Sequence, residues 1–462
     1  MKNRGTIVKR LRQFDLKEKA KASVKYLVVL GVLSFLLDVT RARAFDRPNI
    51  ILIMVDDMGR DWVSCYGSSH PTPNLDRLAE RGLRYTTAWS NPICTPTRVT
   101  LLTGQYPYRH GWVDHYDVPR WGGLGLDWNR FKTFAKALQQ SGYVTGIGGK
   151  WQINNLRTNP SALKMHGFDE HCVWTGAERG HPETDERYFG GYIMTNGERR
   201  LVSFGPDIVN DFAIDFIRRH QETPFLLYYP MLLAHGPFGS TPANQERPPT
   251  QKLEQYAGSV TYMDNLVGKL IDVVDDLAIS DHTMIVFTGD NGSSIAGTLN
   301  GKPYQAGKGQ LANSGAQVPL IVRAPFLIKH PGFYSNDLID LTDIYPTLLE
   351  VAGAKQPDGV ILDGKSMVPS LRGDEDPFKK RNWILSQRGD FRMIRDWQYL
   401  LDNQGGCYQL EVDPLQTKNL FDSKERVVPG RRARLQKILD SLPSDAPAPF
   451  PEYESRYSVK VE

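Results

Sequence analysis

The run Pro48-Asn49-Ile50-Ile51-Leu52-Ile53-Met54-Val55, closed by Asp56-Asp57, decides the fold. Apolar residues follow one another here without alternation, and most are β-branched. Such a run suits a strand in a parallel sheet covered on both faces. The two carboxylates then fall at the strand's carboxyl end, where open α/β sheets collect their ligands. Working outward, residues 74–82 read as a short helix capped by Asn74, and 131–140 as a second, stopped by Gly142. A strand follows from Tyr143, and 207–220 reads as a third helix. Residues 224–229 form a buried strand, 253–277 carry apolar residues at helical spacing, and 283–287 are a β-branched strand leading to Asp290. A strand over 318–322 and a helix over 341–352, closed by Gly353, complete the alternation. The class is α/β, with a large, mostly parallel sheet sandwiched by helices. Beyond about residue 375, short strands at 383–386, 393–394 and 399–401 and a helix over 431–442 imply a small C-terminal antiparallel α+β subdomain. The Pro-rich tail from Pro443 reads as a loosely packed surface strap, and there are no internal repeats.

The chain of 462 residues is 40% hydrophobic and 23% charged, as in an ordinary globular protein. Residues 1–44 stand apart from that globule. A long basic stretch leads into the apolar run from Tyr26 to Leu37, and Ala42-Arg43-Ala44 follows. This is the layout of a cleaved secretory signal, and it implies a secreted or periplasmic protein. The apolar run falls short of the about 17–25 residues a spanning helix needs, so no stable membrane span remains after cleavage. The alternative is an uncleaved anchor, because Arg41 and Arg43 flank the cut site. The chain then divides into a signal peptide (1–44), a main domain (45–375) and the small subdomain (376–462). Residues 1–44 carry eleven Lys or Arg and three Asp or Glu, a net of +8, so the whole chain's +4 becomes −4 once they are removed. The basic balance belongs to the leader and implies no nucleic-acid partner. The cysteines are Cys65, Cys94, Cys172 and Cys407, too few for a disulfide-stapled scaffold.

The chemistry concentrates at Cys94-Thr95-Pro96-Thr97-Arg98, followed by Leu101-Leu102-Thr103-Gly104 and Arg109-His110-Gly111. Alone, the pentapeptide also fits a buried Cys beside a helix-starting Pro. Thr288-Gly289-Asp290-Asn291-Gly292 is good turn chemistry, yet it ends a second apolar strand with oxygen donors, as Asp56-Asp57 end the first. An all-oxygen set of Asp56, Asp57, Asp290 and Asn291 suits Ca²⁺, with Mg²⁺ second, and disfavours zinc. Further elements are Gly149-Lys150-Trp151, Ala234-His235-Gly236-Pro237 and Gly307-Lys308-Gly309 ahead of Val318-Pro319.

From about Pro48 to Gly373 these elements, in this order, resemble the sulfatases. Asp343-Ile344-Tyr345-Pro346, Asp363-Gly364-Lys365-Ser366 and Val412-Asp413-Pro414 with Asn419-Leu420 add to the likeness. The resemblance implies an alkaline-phosphatase-like fold and sulfate ester hydrolysis. It implies that Cys94 is oxidised to Cα-formylglycine by a formylglycine-generating enzyme that reads Pro96 and Arg98. The hydrated aldehyde attacks sulfur, and its second hydroxyl later expels sulfate. Arg98, Lys150 and Lys308 become sulfate contacts, with Lys302 a decoy at the wrong spacing. His235 is a substrate contact that shares with Lys308 the role of proton donor to the alcohol, and residue 94 joins Asp56, Asp57, Asp290 and Asn291 at the metal. Gln152 stands where the family has a histidine that hydrogen-bonds the formylglycine; glutamine holds a hydroxyl but takes no proton near neutral pH. Asn313 and Gln317 replace an acid and an arginine as a matched neutral pair, and Thr97 replaces a Ser or Ala. His70, His110, His115, His166, His171 and His181 either line a sugar cleft or sit as ordinary polar residues, with His110 and His181 the better substrate-binding candidates. The expected substrate is a sulfated carbohydrate or another sulfate ester. The rivals are a phosphodiester or phosphonate monoester hydrolase of the same superfamily and a catalytically dead sugar-binding relative.

Overall fold

The computed structural model describes residues 47–450 apart from 124, 375, 377–379 and 426; the signal peptide expected over 1–44 lies outside them. The strands in chain order are β1 (Asn49–Val55), β2 (Leu83–Trp89), β3 (Val144–Lys150), β4 (Glu170–Trp174), β5 (Tyr192–Thr195), β6 (Glu198–Leu201), β7 (Phe225–Pro230) and β8 (Thr283–Gly289). A small hairpin, β9 (Gly297–Leu299) and β10 (Lys302–Tyr304), precedes β11 (Leu320–Arg323) and β12 (Phe333–Asp340). Ten of these form one sheet in the order β12-β2-β11-β8-β1-β7-β3-β4-β5-β6.

β1 lies at the centre, parallel to both β7 and β8, with Ile51 opposite Leu227 on one side and Ile285 on the other. Every residue of β1 is buried, and successive side chains enter opposite cores, as the two-residue period of a strand requires. Ile50, Leu52 and Met54 pack with Val99, Phe134 and Leu348 from the helices α2 (Cys94–Thr103), α3 (Phe134–Gln140) and α6 (Ile344–Ala352). Ile51, Ile53 and Val55 pack with Leu75, Phe216 and Val260 from α1 (Pro73–Glu80), α4 (Gly205–His220) and α5 (Lys252–Asp276). The expected sandwich is present. The sheet is mixed rather than parallel throughout: β11 runs antiparallel between β8 and β2, and β5-β6 close one edge as a hairpin. That hairpin turns on Asn196-Gly197, both at positive φ, the chemistry a two-residue turn demands.

Four further strands, β13 (Ile384–Arg388), β14 (Phe391–Arg395), β15 (Tyr399–Asp402) and β16 (Cys407–Gln409), form the C-terminal antiparallel sheet, joined by α7 (Val428–Asp440). This sheet is pinned directly behind the segment that leads into α2. Ser386 Oγ donates to Ser90 O (2.7 Å), and Gln387 N to Asn91 Oδ1 (3.1 Å). The start of the tail is packed, not loose. Phe450 is buried among Trp112, Tyr116 and Trp121, and Arg392 pairs with Asp445 at 2.8 Å. Among the described residues no helix is long and apolar enough to cross a membrane, and all four cysteines are free.

Arg381 ties this region together. Its guanidinium donates to Asp343 Oδ1 (2.6 Å), to the Tyr106 hydroxyl (2.8 Å) and to Thr342 Oγ1 (2.8 Å), all buried. Arg381→Ala leaves Asp340 and Asp343 without their cation, and stability is expected to fall by about 3–5 kcal/mol. Denaturant unfolding checks this; a loss under about 1 kcal/mol contradicts the role given to Arg381.

Candidate active site

The carboxyl ends of β1, β3 and β8 meet the start of α2. Asp56 and Asp57 continue β1, and both are fully buried. Asp57 adopts a left-handed backbone (φ 61°), a strained choice for a residue with a Cβ, which its contacts over-determine. Its N–H donates to Asp290 Oδ1 (2.9 Å), and its carboxylate accepts from Asn291 Nδ2 (2.9 Å), Ser294 Oγ (2.7 Å) and Lys308 Nζ (2.6 Å). Gly149, one residue before Lys150, has φ +131°, and a Cβ there would lie 1.8 Å from Pro230 O. Only glycine lets β3 pass β7 this closely and still deliver Lys150 to Asp56, which it meets at 2.8 Å.

Cys94 is the first residue of α2, and Arg98 lies one turn later on the same face. Pro96 falls in the first turn, where its missing N–H costs no hydrogen bond. The Thr97 hydroxyl donates to Ile93 O (3.0 Å) and accepts from Asn91 N (3.1 Å), so it braces the loop that delivers Cys94. Arg98 reaches Asp290 Oδ2 at 2.7 Å and Asp56 Oδ1 at 3.3 Å. Its Nε and Nη1 are buried without a hydrogen-bond partner among the described residues.

Burial would push all three carboxylates up, and the neighbouring positive charges decide which escape. Lys150, then His235 in its protonated form, then Arg98 overcome burial at Asp56 and hold it well below the usual range; Asp57 is lowered by protonated His235 and by Lys308. Asp290 stays raised by burial and by the charge of Asp56 beside it. Burial also raises the Cys94 thiol, but the Lys150 ammonium and a His115 hydrogen bond outweigh it and bring it down to about 6. Lys308 is raised, because Asp57 outweighs burial. Burial lowers His235 to about 4. Its Nδ1 meets Gly236 O and its Nε2 meets Lys308 Nζ at 2.9 Å, which fits a neutral ring with the proton on Nδ1.

One oxygen of each of Asp56 and Asp290 lies within 4.8 Å of Cys94 Sγ and of the other, and Asp56 and Asp57 are grouped likewise with His235. Asn291 Oδ1 is buried with no partner among the described residues. Clustered anionic oxygens beside an orphan acceptor are what a hard divalent cation fits.

The structure therefore brings together Cys94, Arg98, Lys150, His235, Lys308, Asp56, Asp57, Asp290 and Asn291. Gln152 is buried, with Oε1 unpartnered among the described residues. His110 lies outside the cluster: its Nε2 pairs with Thr100 Oγ1 (3.0 Å), Nδ1 accepts from Trp112 N (3.0 Å), and burial lowers it to about 3. His181 pairs with Glu183 at 2.9 Å on a partly exposed segment. Lys302 sits on β10, separate from Lys308. Asn313 Nδ2 donates to Gln317 Oε1 (2.7 Å), so the two neutral residues do pair.

Arg187 lies outside every sequence-based expectation, and His115, one of the six histidines named there, stands behind His110 and His181 as a candidate. The Arg187 guanidinium stacks 3.8 Å over Trp174, with Nη1 3.3 Å from His235 Nδ1 and 3.9 Å from Asp56 Oδ2. His115 Nδ1 lies 3.8 Å from Cys94 Sγ and 3.0 Å from Thr95 Oγ1. Neither belongs to a recognisable motif, and only the tertiary approach of separate loops reveals them.

The family described as Sulfatase matches residues 48–354. N-acetylgalactosamine-6-sulfatase of Canis lupus familiaris is 32% identical over 371 residues, covering 72% of this chain and 68% of the relative. Arylsulfatase H of Homo sapiens is 30% identical, covering 71% and 73%. The crystal structure of Ps i-CgsB in complex with k-i-k-neocarrahexaose superposes with a TM-score of 0.73 at 27% identity, covering 85% of this chain and 92% of that one.

Proposed function

The chain belongs to the sulfatase family and is a sulfuric ester hydrolase, and on that premise we propose that it removes sulfate from a sulfated carbohydrate, with Cys94 as the precursor of Cα-formylglycine. The observation that carries this reading is the convergence of Arg98, Lys150 and Lys308 with Cys94 on three buried carboxylates. The carbohydrate substrate is supported by the likeness to N-acetylgalactosamine-6-sulfatases and to a neighbour solved with k-i-k-neocarrahexaose.

Formylglycine supplies, as its hydrate, one hydroxyl to attack sulfur and a second whose deprotonation releases sulfate. Asp56, Asp57, Asp290, Asn291 and residue 94 would hold Ca²⁺, with Mg²⁺ second, which supplies a positive charge beside the sulfonate oxygens. The unpartnered Nε and Nη1 of Arg98 provide preorganised donors, together with the ammonium of Lys150. Between the two proton donors expected for the alcohol, Lys308 is favoured. Its ammonium is held charged by Asp57, whereas the His235 imidazole is neutral and takes a hydrogen bond from Lys308.

Cys94, Pro96 and Arg98 are all buried, so a formylglycine-generating enzyme would have to read this segment before the chain folds. Residues 45–375 would carry the chemistry and 376–462 support it from behind. We also propose export through the segment 1–44; N-terminal sequencing of the exported protein should begin near Phe45, and a sequence still starting at Met1 argues against it.

The reading predicts aryl sulfate hydrolysis at a kcat/KM at least about a hundredfold above that for an aryl phosphodiester, a gap of about 2.7 kcal/mol; the reverse order would favour the phosphodiester hydrolase. Asp290→Ala is expected to lose both bound calcium, read by elemental analysis, and activity. Full activity after thorough chelation contradicts the metal assignment.

A further inference from the structure

Gln152 leaves a gap in the reaction. An amide holds a hydroxyl by hydrogen bonding but takes no proton from it near neutral pH. A base is nevertheless needed at residue 94 when sulfate departs. Among the described residues, the imidazole with a hydrogen-bonding contact to Cys94 is that of His115, on the segment between the short helices Pro107–His110 and Val118–Trp121. Its Nδ1 is 3.8 Å from Sγ and 3.0 Å from the Thr95 hydroxyl. The other charged groups that face it are Lys150 and Asp117. His110 is spent on Thr100 and Trp112, and Nε2 of His235 is engaged by Lys308.

The segment that carries His115 is fixed from outside the main sheet. Asp114 Oδ1 accepts from His115 N (2.8 Å) and from Arg388 Nε (3.0 Å). Arg388 Nη1 donates to Gly309 O (2.7 Å), one residue beyond Lys308, and Gly389 N donates to Val113 O (2.8 Å). Arg388 is therefore a positioning residue that holds the His115 and Lys308 loops in register with each other. A histidine that served only to pack its loop would not need its ring nitrogen directed at the reacting side chain.

We propose that His115 is the catalytic base in place of the histidine missing at position 152. As sulfate leaves, a ring nitrogen of His115 takes the proton of the free hydroxyl on residue 94. The O–H electron pair becomes the aldehyde C=O bond, and the carbon–oxygen bond to sulfate breaks with its electrons going to sulfate. The imidazolium passes its proton to solvent, and water adds back to the aldehyde. This rests on the reading of Cys94 as a formylglycine precursor.

The test uses His115→Asn, with His115→Gln as a second variant should the first fail to fold. Both are made with a formylglycine-generating enzyme, and conversion at residue 94 and thermal unfolding are measured first. Each is mixed with excess aryl sulfate, quenched and digested. The expected result is a peptide containing residue 94 that has gained one SO₃ group. A burst of one equivalent of alcohol should be retained, kcat should drop about a hundredfold or more, and KM should fall with it. Gln152→His in the His115→Asn background is expected to discharge the sulfated peptide and recover kcat. A folded, converted variant that turns over within about threefold of wild type overturns the proposal. So does one that loses the burst and carries no sulfated peptide. Wild-type protein that hydrolyses sulfate esters with unconverted Cys94 would instead overturn the formylglycine reading beneath it.

Discussion

Three carboxylates, Asp56, Asp57 and Asp290, are buried at the ends of two adjacent parallel strands, and the surrounding architecture is organised by the need to neutralise them. Burying one unpaired carboxylate costs several kcal/mol, so three together are untenable without cations placed to match. Arg98 serves Asp290 and Asp56, Lys150 serves Asp56, and Lys308 serves Asp57. Each cation comes from a different segment: a helix start, a central strand and a loop. The same ammonium and guanidinium groups that make the cluster tolerable are those a sulfonate requires as its charge is redistributed. On the proposed function, neutralisation and catalysis draw on one set of side chains.

Much of this was legible in the sequence, for identifiable reasons. β1 announces itself because a strand buried on both faces has no polar alternation to obscure it, and α5 because a 25-residue helix repeats its apolar spacing many times. The carboxylates are legible because they close such strands, whereas Lys150, His235 and Lys308 are legible through the resemblance of their motifs to those of the sulfatases. The sequence reading passes over β2 and β12, and the other strands it omits from the main sheet share another character. β4 to β6 are short and partly exposed, so period and composition say little, although the Asn196-Gly197 turn was a usable signal. β11 reads as an ordinary buried strand, and nothing local reveals that it runs antiparallel. Arg187, which the sequence does not mark, and His115, which it marks only as one of six histidines, sit in loops with no repeating pattern, and their meaning depends on which other loop they meet. His110, adjacent to a motif, was favoured for that adjacency, and its bonds to Thr100 and Trp112 are structural.

The C-terminal sheet takes part in the site without lending it a side chain at the cluster. Ser386 and Gln387 hold the segment leading to Cys94, and Arg388 spans the loops of His115 and Lys308. Consecutive residues of one strand thus brace the loop that leads to Cys94 and its neighbours. A main sheet supplies the anionic cluster, and the smaller sheet fixes the loops against it, which is how rigid elements keep a reacting geometry.

The central claim is that residue 94 acts as an oxidised cysteine amid these cations. Mass spectrometry of the peptide containing residue 94, taken from protein that cleaves sulfate esters, tests it most directly. The account predicts formylglycine or its hydrate at that position, with turnover rising in proportion to its fraction. A peptide found wholly as unmodified cysteine in a sample that still releases sulfate would contradict it.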